Sequence, residues 1–138
     1  MQRFLLKTEP SEYSFDDLLR DTRTVWTGVS NPTALIHIRT MKQDDEAFVY
    51  HTGSEKCIVG IAVIASDPYP DPSSENTKLA VFELRPLRRL ENAVPLSLIK
   101  QKKEFNAFPL VTNSRLSVMP VAEKEWKAII SLSRQIPS

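Results

Sequence analysis

"EAFVYHTGSEKCIVGIAVIA", residues 46–65, sets the architecture of this chain. Two apolar runs, 46–52 and 57–65, are rich in β-branched and aromatic residues, with Gly53 and Ser54 in the turn between them. Runs of this kind joined by a short, glycine-containing connection pair as an antiparallel hairpin. Side chains alternate between faces along a strand, so Tyr50 and Thr52 point one way and His51 the other. Either parity can face the interior.

Outward from the hairpin, "RFLLKT" (3–8) is short, apolar and followed by Pro10, which predicts a buried strand. "SFDDLLRD" (14–21) predicts a helix that Ser14 caps, with Asp16 and Asp17 at its positive end. Asn31 is a good N-cap for a further helix, and Pro32 stands at its first position. Ala34, Leu35, Ile38 and Met41 share one face of that helix; Thr33, His37 and Thr40 share another. "DPYPDP" (67–72) carries three prolines in six residues, which predicts a rigid loop and neither strand nor helix. "KLAVFELRPLRRL" (78–90) predicts a long strand ending near Pro86, and "PLSLIKQKK" (95–103) one short helix with a basic, solvated end. "RLSVMPV" (115–121) is extended. "EKEWKAIISL" (123–132) is a closing amphipathic helix, with Trp126 in the core.

The count is about five or six strands with three or four short helices that do not alternate strictly with them. The expectation is an α+β domain, a small mixed and partly closed β-barrel flanked by short helices, occupying residues 1–138.

The formal net charge of the 138 residues is +1. A protein gripping long nucleic acid through many phosphates is usually far more basic, so a compact pocket or a few local phosphate contacts is expected instead. No run approaches the ~20 apolar residues of a membrane span, and the first residues do not form a signal peptide. The single cysteine, Cys57, fits a reducing compartment, the cytoplasm or, in a eukaryote, the nucleus. There is no Gly-rich phosphate loop, and His37, His51 and Cys57 do not make a zinc site, so no cofactor or metal is expected. Cys57 at a strand start reads as an inert core thiol. Glu9 and Asp71 sit in proline-bounded loops and would do acid–base work only if they met, for which their spacing gives no reason.

Trp26 stands beside Gly28 and ahead of a helix start, so it either plugs the core or walls a site. Seven short motifs occur in order: "KTEP" (7–10), "WTGVSN" (26–31), "MKQDD" (41–45), "YHT" (50–52), "VGIA" (59–62), "YPDP" (69–72) and "RLSVMPV" (115–121). Together they resemble the EVE domain family of the PUA-like superfamily, which is similar to the YTH domains. The resemblance implies a small mixed barrel that reads a modified base in DNA or RNA. It implies Trp26 as an aromatic cage wall and Lys7 with Thr8 as the pair beside the pocket. Further candidate ligand-binding residues are Ser30 and Asn31 before the helix, Tyr50, His51 and Thr52 on the strand, and Tyr69 as a second aromatic wall. Asp71 is a candidate acceptor for a base amine, and Arg115, with Ser117 on the same face, a candidate phosphate contact. The chain departs from the usual family segment at Thr27, Ser30, Leu35 and Ile36, where an aspartate, two arginines and an asparagine are usual.

The expected partner is therefore a nucleic acid with a modified base, or a nucleotide-like small molecule, and no catalytic residue is expected. Two other readings compete. One is a small nucleoside amidohydrolase in which Lys7 assists attack by Thr8 beside a carboxylate such as Glu9. The other is an interaction module with a vestigial pocket.

Overall fold

The computed structural model describes residues 1–136. The hairpin forms as β3 (Glu46–His51) and β4 (Cys57–Ile64). β1 (Arg3–Thr8) lies parallel to β3, with Lys7 opposite Tyr50 and Thr8 opposite His51. β2 (Thr24–Trp26) and the long β6 (Ala80–Pro95) extend the sheet on one side, and β7 (Val118–Pro120) extends it on the other. The order is β2-β6-β4-β3-β1-β7, and the end strands β2 and β7 do not pair, so the curled sheet is a half-barrel.

The curl comes from irregularities in β6. The register with β4 shifts between Ile58 and Gly60 and again between Ile61 and Ala62. Extra residues on one strand bend it and increase its twist. This corrects the expected end near Pro86. Pro86 falls opposite Ala62 at the second shift, where a proline is tolerated, and the strand runs on to Pro95. The proline loop is also corrected in part: Tyr69–Pro70 forms a two-residue β5 against Ala80 and Val81 of β6. β2 was not expected at all, because three residues beside a glycine turn carry no periodic signal.

Five α-helices among the described residues cover the sheet. α1 (Phe15–Asp21) starts at Ser14, whose side chain accepts from the Asp17 amide while the Asp17 carboxylate accepts from the Ser14 amide. α2 (Pro32–Thr40) starts at Asn31, which accepts from the Ala34 amide at 3.0 Å. The expected single basic helix at 95–103 is instead α3 (Leu96–Lys100), then a 3₁₀ turn (Lys103–Phe105) and α4 (Pro109–Thr112). α5 (Glu123–Gln135) closes the fold. Its Trp126 stacks on Phe48 at 3.8 Å between centroids, as befits a core position. Phe4, Phe15, Phe48, Phe82, Phe105 and Phe108 are fully buried in one continuous core. No helix among the described residues is long and apolar enough to cross a membrane.

Candidate functional site

The end of β1 places consecutive residues on opposite faces, and this divides the candidate residues between separate pockets. Thr8 faces β2 and the loop that follows β1. Its hydroxyl donates to the Tyr13 carbonyl at 2.6 Å. With Tyr13, Trp26, Thr24 and Thr27 it lines a pocket of about 350 Å³, and Glu12 and Val25 complete the lining. That volume is at the small end of the ~300–1,000 Å³ range of ligand sites. Trp26 leaves 9% of its surface exposed and meets Tyr13 edge-on, 6.2 Å between centroids at 81°. It therefore both packs against the core and forms a pocket wall. The Tyr13 hydroxyl donates to Asp21 at 2.9 Å, which fixes the ring. Burial, with Asp21 beside it, holds the Tyr13 phenol above its ordinary range, so it stays protonated. After Trp26 the chain turns at Gly28 with φ +83°, a conformation that glycine adopts cheaply.

Lys7 faces the other way. Its ammonium donates to the Ser114 carbonyl at 2.9 Å and lies 5.8 Å from the centre of the Tyr50 ring. It lines a second pocket, about 270 Å³, together with Tyr50, Thr52, Lys56, Lys100 and Ser114. Burial lowers the Lys7 pKa and raises that of Tyr50. Ser117 borders this side too, its carbonyl accepting from the Lys7 amide at 2.9 Å, and Arg115 is exposed nearby on the chain leading into β7.

His51 takes the opposite parity to Tyr50 and is buried. Its Nε2 accepts the Phe15 amide at 3.0 Å, so the proton of the neutral ring sits on Nδ1, which is 2.9 Å from a Glu55 carboxylate oxygen. That pair anchors the start of α1 to the sheet.

The remaining candidates are dispersed. Ser30 lies in a shallow groove with Pro32, Leu35 and Ile36, and Asn31 caps α2. Tyr69 borders a further cavity beside Arg39 and Leu79. Asp71 accepts from the Ser73 amide and hydroxyl, and Glu9 from those of Ser11; both carboxyls are held below the usual range by those bonds. These residues line several pockets, with Thr8 and Trp26 in one and Lys7, Tyr50 and Thr52 in another. Lys7 and Thr8 do not meet, so the dyad required by the amidohydrolase reading is not assembled.

Sequence reasoning missed Glu12, Tyr13, Thr24, Val25 and Thr27 around Trp26, and Lys56 and Ser114 around Lys7. These are loop and edge residues with no periodicity to mark them.

The fold and the pocket define a small half-barrel domain with an aromatic corner at the free edge of its sheet. Residues 2–132 match the EVE domain family, and the chain belongs to that family. Thymocyte nuclear protein 1 of Rattus norvegicus is 30% identical over 98% of this chain and 75% of its own length. Human THYN1, solved in complex with DNA containing 5-methylcytosine, superposes with a TM-score of 0.90 at 27% identity, covering 99% of this chain and all of that one. The YTH domain of the Zygosaccharomyces rouxii MRB1 protein, solved with N6-methyladenosine RNA, superposes with a TM-score of 0.58 over 99% of this chain and 89% of its own. At 16% identity that likeness is one of fold alone.

Proposed function

We propose that this chain is a reader of a modified nucleobase in DNA or RNA, and that the base enters the pocket between Trp26 and Tyr13. The observation that carries this reading is that Trp26 walls a pocket in a fold matching human THYN1, which was solved with 5-methylcytosine DNA. Methylated cytosine in DNA is therefore the first ligand to test.

The mechanism follows from the lining. An aromatic wall adds about 1–3 kcal/mol of stacking for any base. One buried methyl adds only about 0.8 kcal/mol, roughly fourfold in affinity. Selectivity also needs the polar edge, which here comes from the hydroxyls of Thr8, Thr24 and Thr27 and the Glu12 carboxylate. A donor or acceptor left unpaired in the pocket costs about 1–3 kcal/mol, which is what rejects the wrong base edge. The base must leave its stack to enter. The net charge of +1 favours short, local contact over a long groove. Residues 1–138 are read as one such domain, supported by the single continuous core, and a reducing compartment is supported by the lone cysteine.

Fluorescence anisotropy with labelled single- and double-stranded DNA and RNA, each carrying unmodified, methylated or hydroxymethylated bases, tests this. The expected result is a preference of about tenfold or more for one modified base, lost in Trp26→Leu while the fold is kept. Equal binding of all probes, unchanged by Trp26→Leu, overturns it.

A further inference from the structure

Three lysines converge on the pocket behind β1. Lys7, Lys56 and Lys100 line the same cavity of about 270 Å³, with the hydroxyl-bearing residues Tyr50, Thr52 and Ser114 among them. None of the three is in an ion pair among the described residues. Of the nearby carboxylates, Glu55 pairs with His51, and one oxygen of Glu9 accepts from Ser11 while its other oxygen stands against Gly53 at the cavity wall.

Of the three, Lys7 carries a desolvation cost, while Lys56 and Lys100 are exposed at the cavity mouth. Lys7 is half-buried and meets one carbonyl and the face of Tyr50, but no carboxylate. A desolvated ammonium is stabilised by an opposite charge far more than by one neutral acceptor. Lys56 holds a left-handed backbone at φ +47°, which is unfavourable for a side-chain-bearing residue other than Asn or Asp. Its carbonyl accepts the Leu96 amide at 2.9 Å, which ties this turn to the segment bearing Lys100. The strained turn thus supplies one cation and anchors the next.

We propose that the Lys7–Lys56–Lys100 cavity is a phosphate-binding site, separate from the Trp26 pocket and on the other face of β1. A phosphodiester of a bound strand and a free or terminal phosphate present the same chemistry to it. The phosphodiester case rests on the reader function proposed above; the free-phosphate case does not. Phosphate oxygens would accept from the ammonium groups and from the hydroxyls at the cavity wall. Such a contact anchors a strand without reading its sequence.

The test uses the full chain carrying Lys56→Asn and Lys100→Gln together, asparagine being compatible with the left-handed backbone. Affinity for an internal-phosphodiester oligonucleotide is measured from 50 to 200 mM chloride, beside thermal unfolding in inorganic phosphate and in chloride of equal ionic strength. Loss of the one phosphate contact lowers the salt slope by roughly 0.7–0.9. The wild type then loses about 2.5- to 3.5-fold more affinity than the variant across that range, with the preference for the modified base unchanged. That result supports the site with a strand as its source. An unchanged slope, with inorganic phosphate raising the melting temperature of the wild type and not of the variant, supports it with free phosphate as the source. Neither effect, in a variant as stable as the wild type in chloride, overturns it. Base selectivity without any lysine effect removes this site and leaves the reader; a lysine effect without base selectivity does the reverse.

Discussion

Gly60→Ala tests how the Trp26 pocket is held in place. An ideal Cβ at Gly60 falls 2.5, 2.6 and 2.8 Å from three ring carbons of Phe15. Carbon atoms rest about 3.5–4.0 Å apart, so the ring must withdraw by about 1 Å. Phe15 is fully buried and its amide is bonded to His51, which leaves little slack. Overpacking of this kind costs about 1–3 kcal/mol. For a chain of this length that lowers Tm by roughly 3–15 °C. The assay is guanidinium denaturation followed by tryptophan fluorescence, with the change read from the midpoint at constant slope. Phe15→Leu removes the ring atoms that clash, so in its background the cost of Gly60→Ala falls, giving a coupling of about 0.5–3 kcal/mol in a double-mutant cycle. Because Tyr13 lies two residues before Phe15, Gly60→Ala also weakens ligand binding at the Trp26 pocket. Wild-type stability in Gly60→Ala, or strict additivity in the cycle, refutes the proposed packing.

Two further outcomes follow from buried polar groups. His51→Leu leaves the Phe15 amide without an acceptor, costing about 1–3 kcal/mol and raising hydrogen exchange at that amide; unchanged protection there would count against the anchoring role. Burial, with Glu55 beside it, pushes the Cys57 thiol up from its ordinary range. The thiolate fraction near neutral pH is therefore smaller in the native protein than in the unfolded chain. Iodoacetamide should alkylate native Cys57 more slowly than the denatured chain, with the rate rising as pH passes above the usual thiol range; equal rates at neutral pH would refute this.

Much of the fold is local in origin and so legible in the chain. The two apolar runs in 46–65, separated by the turn at Gly53, dictate β3 and β4, Pro10 follows β1, and Ser14 and Asn31 cap α1 and α2 through bonds that reach only three residues along. The signals that failed are those whose meaning depends on a partner strand. Pro86 ends a strand in isolation, but opposite a register shift it is accommodated. Thr24–Trp26 is a strand only because Phe82–Leu84 lies beside it.

The candidate site divides in the same way. The resemblance to the EVE domain family singled out Trp26, Thr8 and Lys7 as candidate binding residues. Which of them share a pocket is decided by the pleat of β1, whose alternation sends Lys7 to the lysine cavity and Thr8 to Trp26. Tyr13 becomes a wall only because α1 is pinned to the sheet through His51 and Phe15, a contact across 36 residues of chain. Local capping and alternation are short-range interactions, written residue by residue. A pocket is a long-range object, and its composition exists only once the half-barrel has curled.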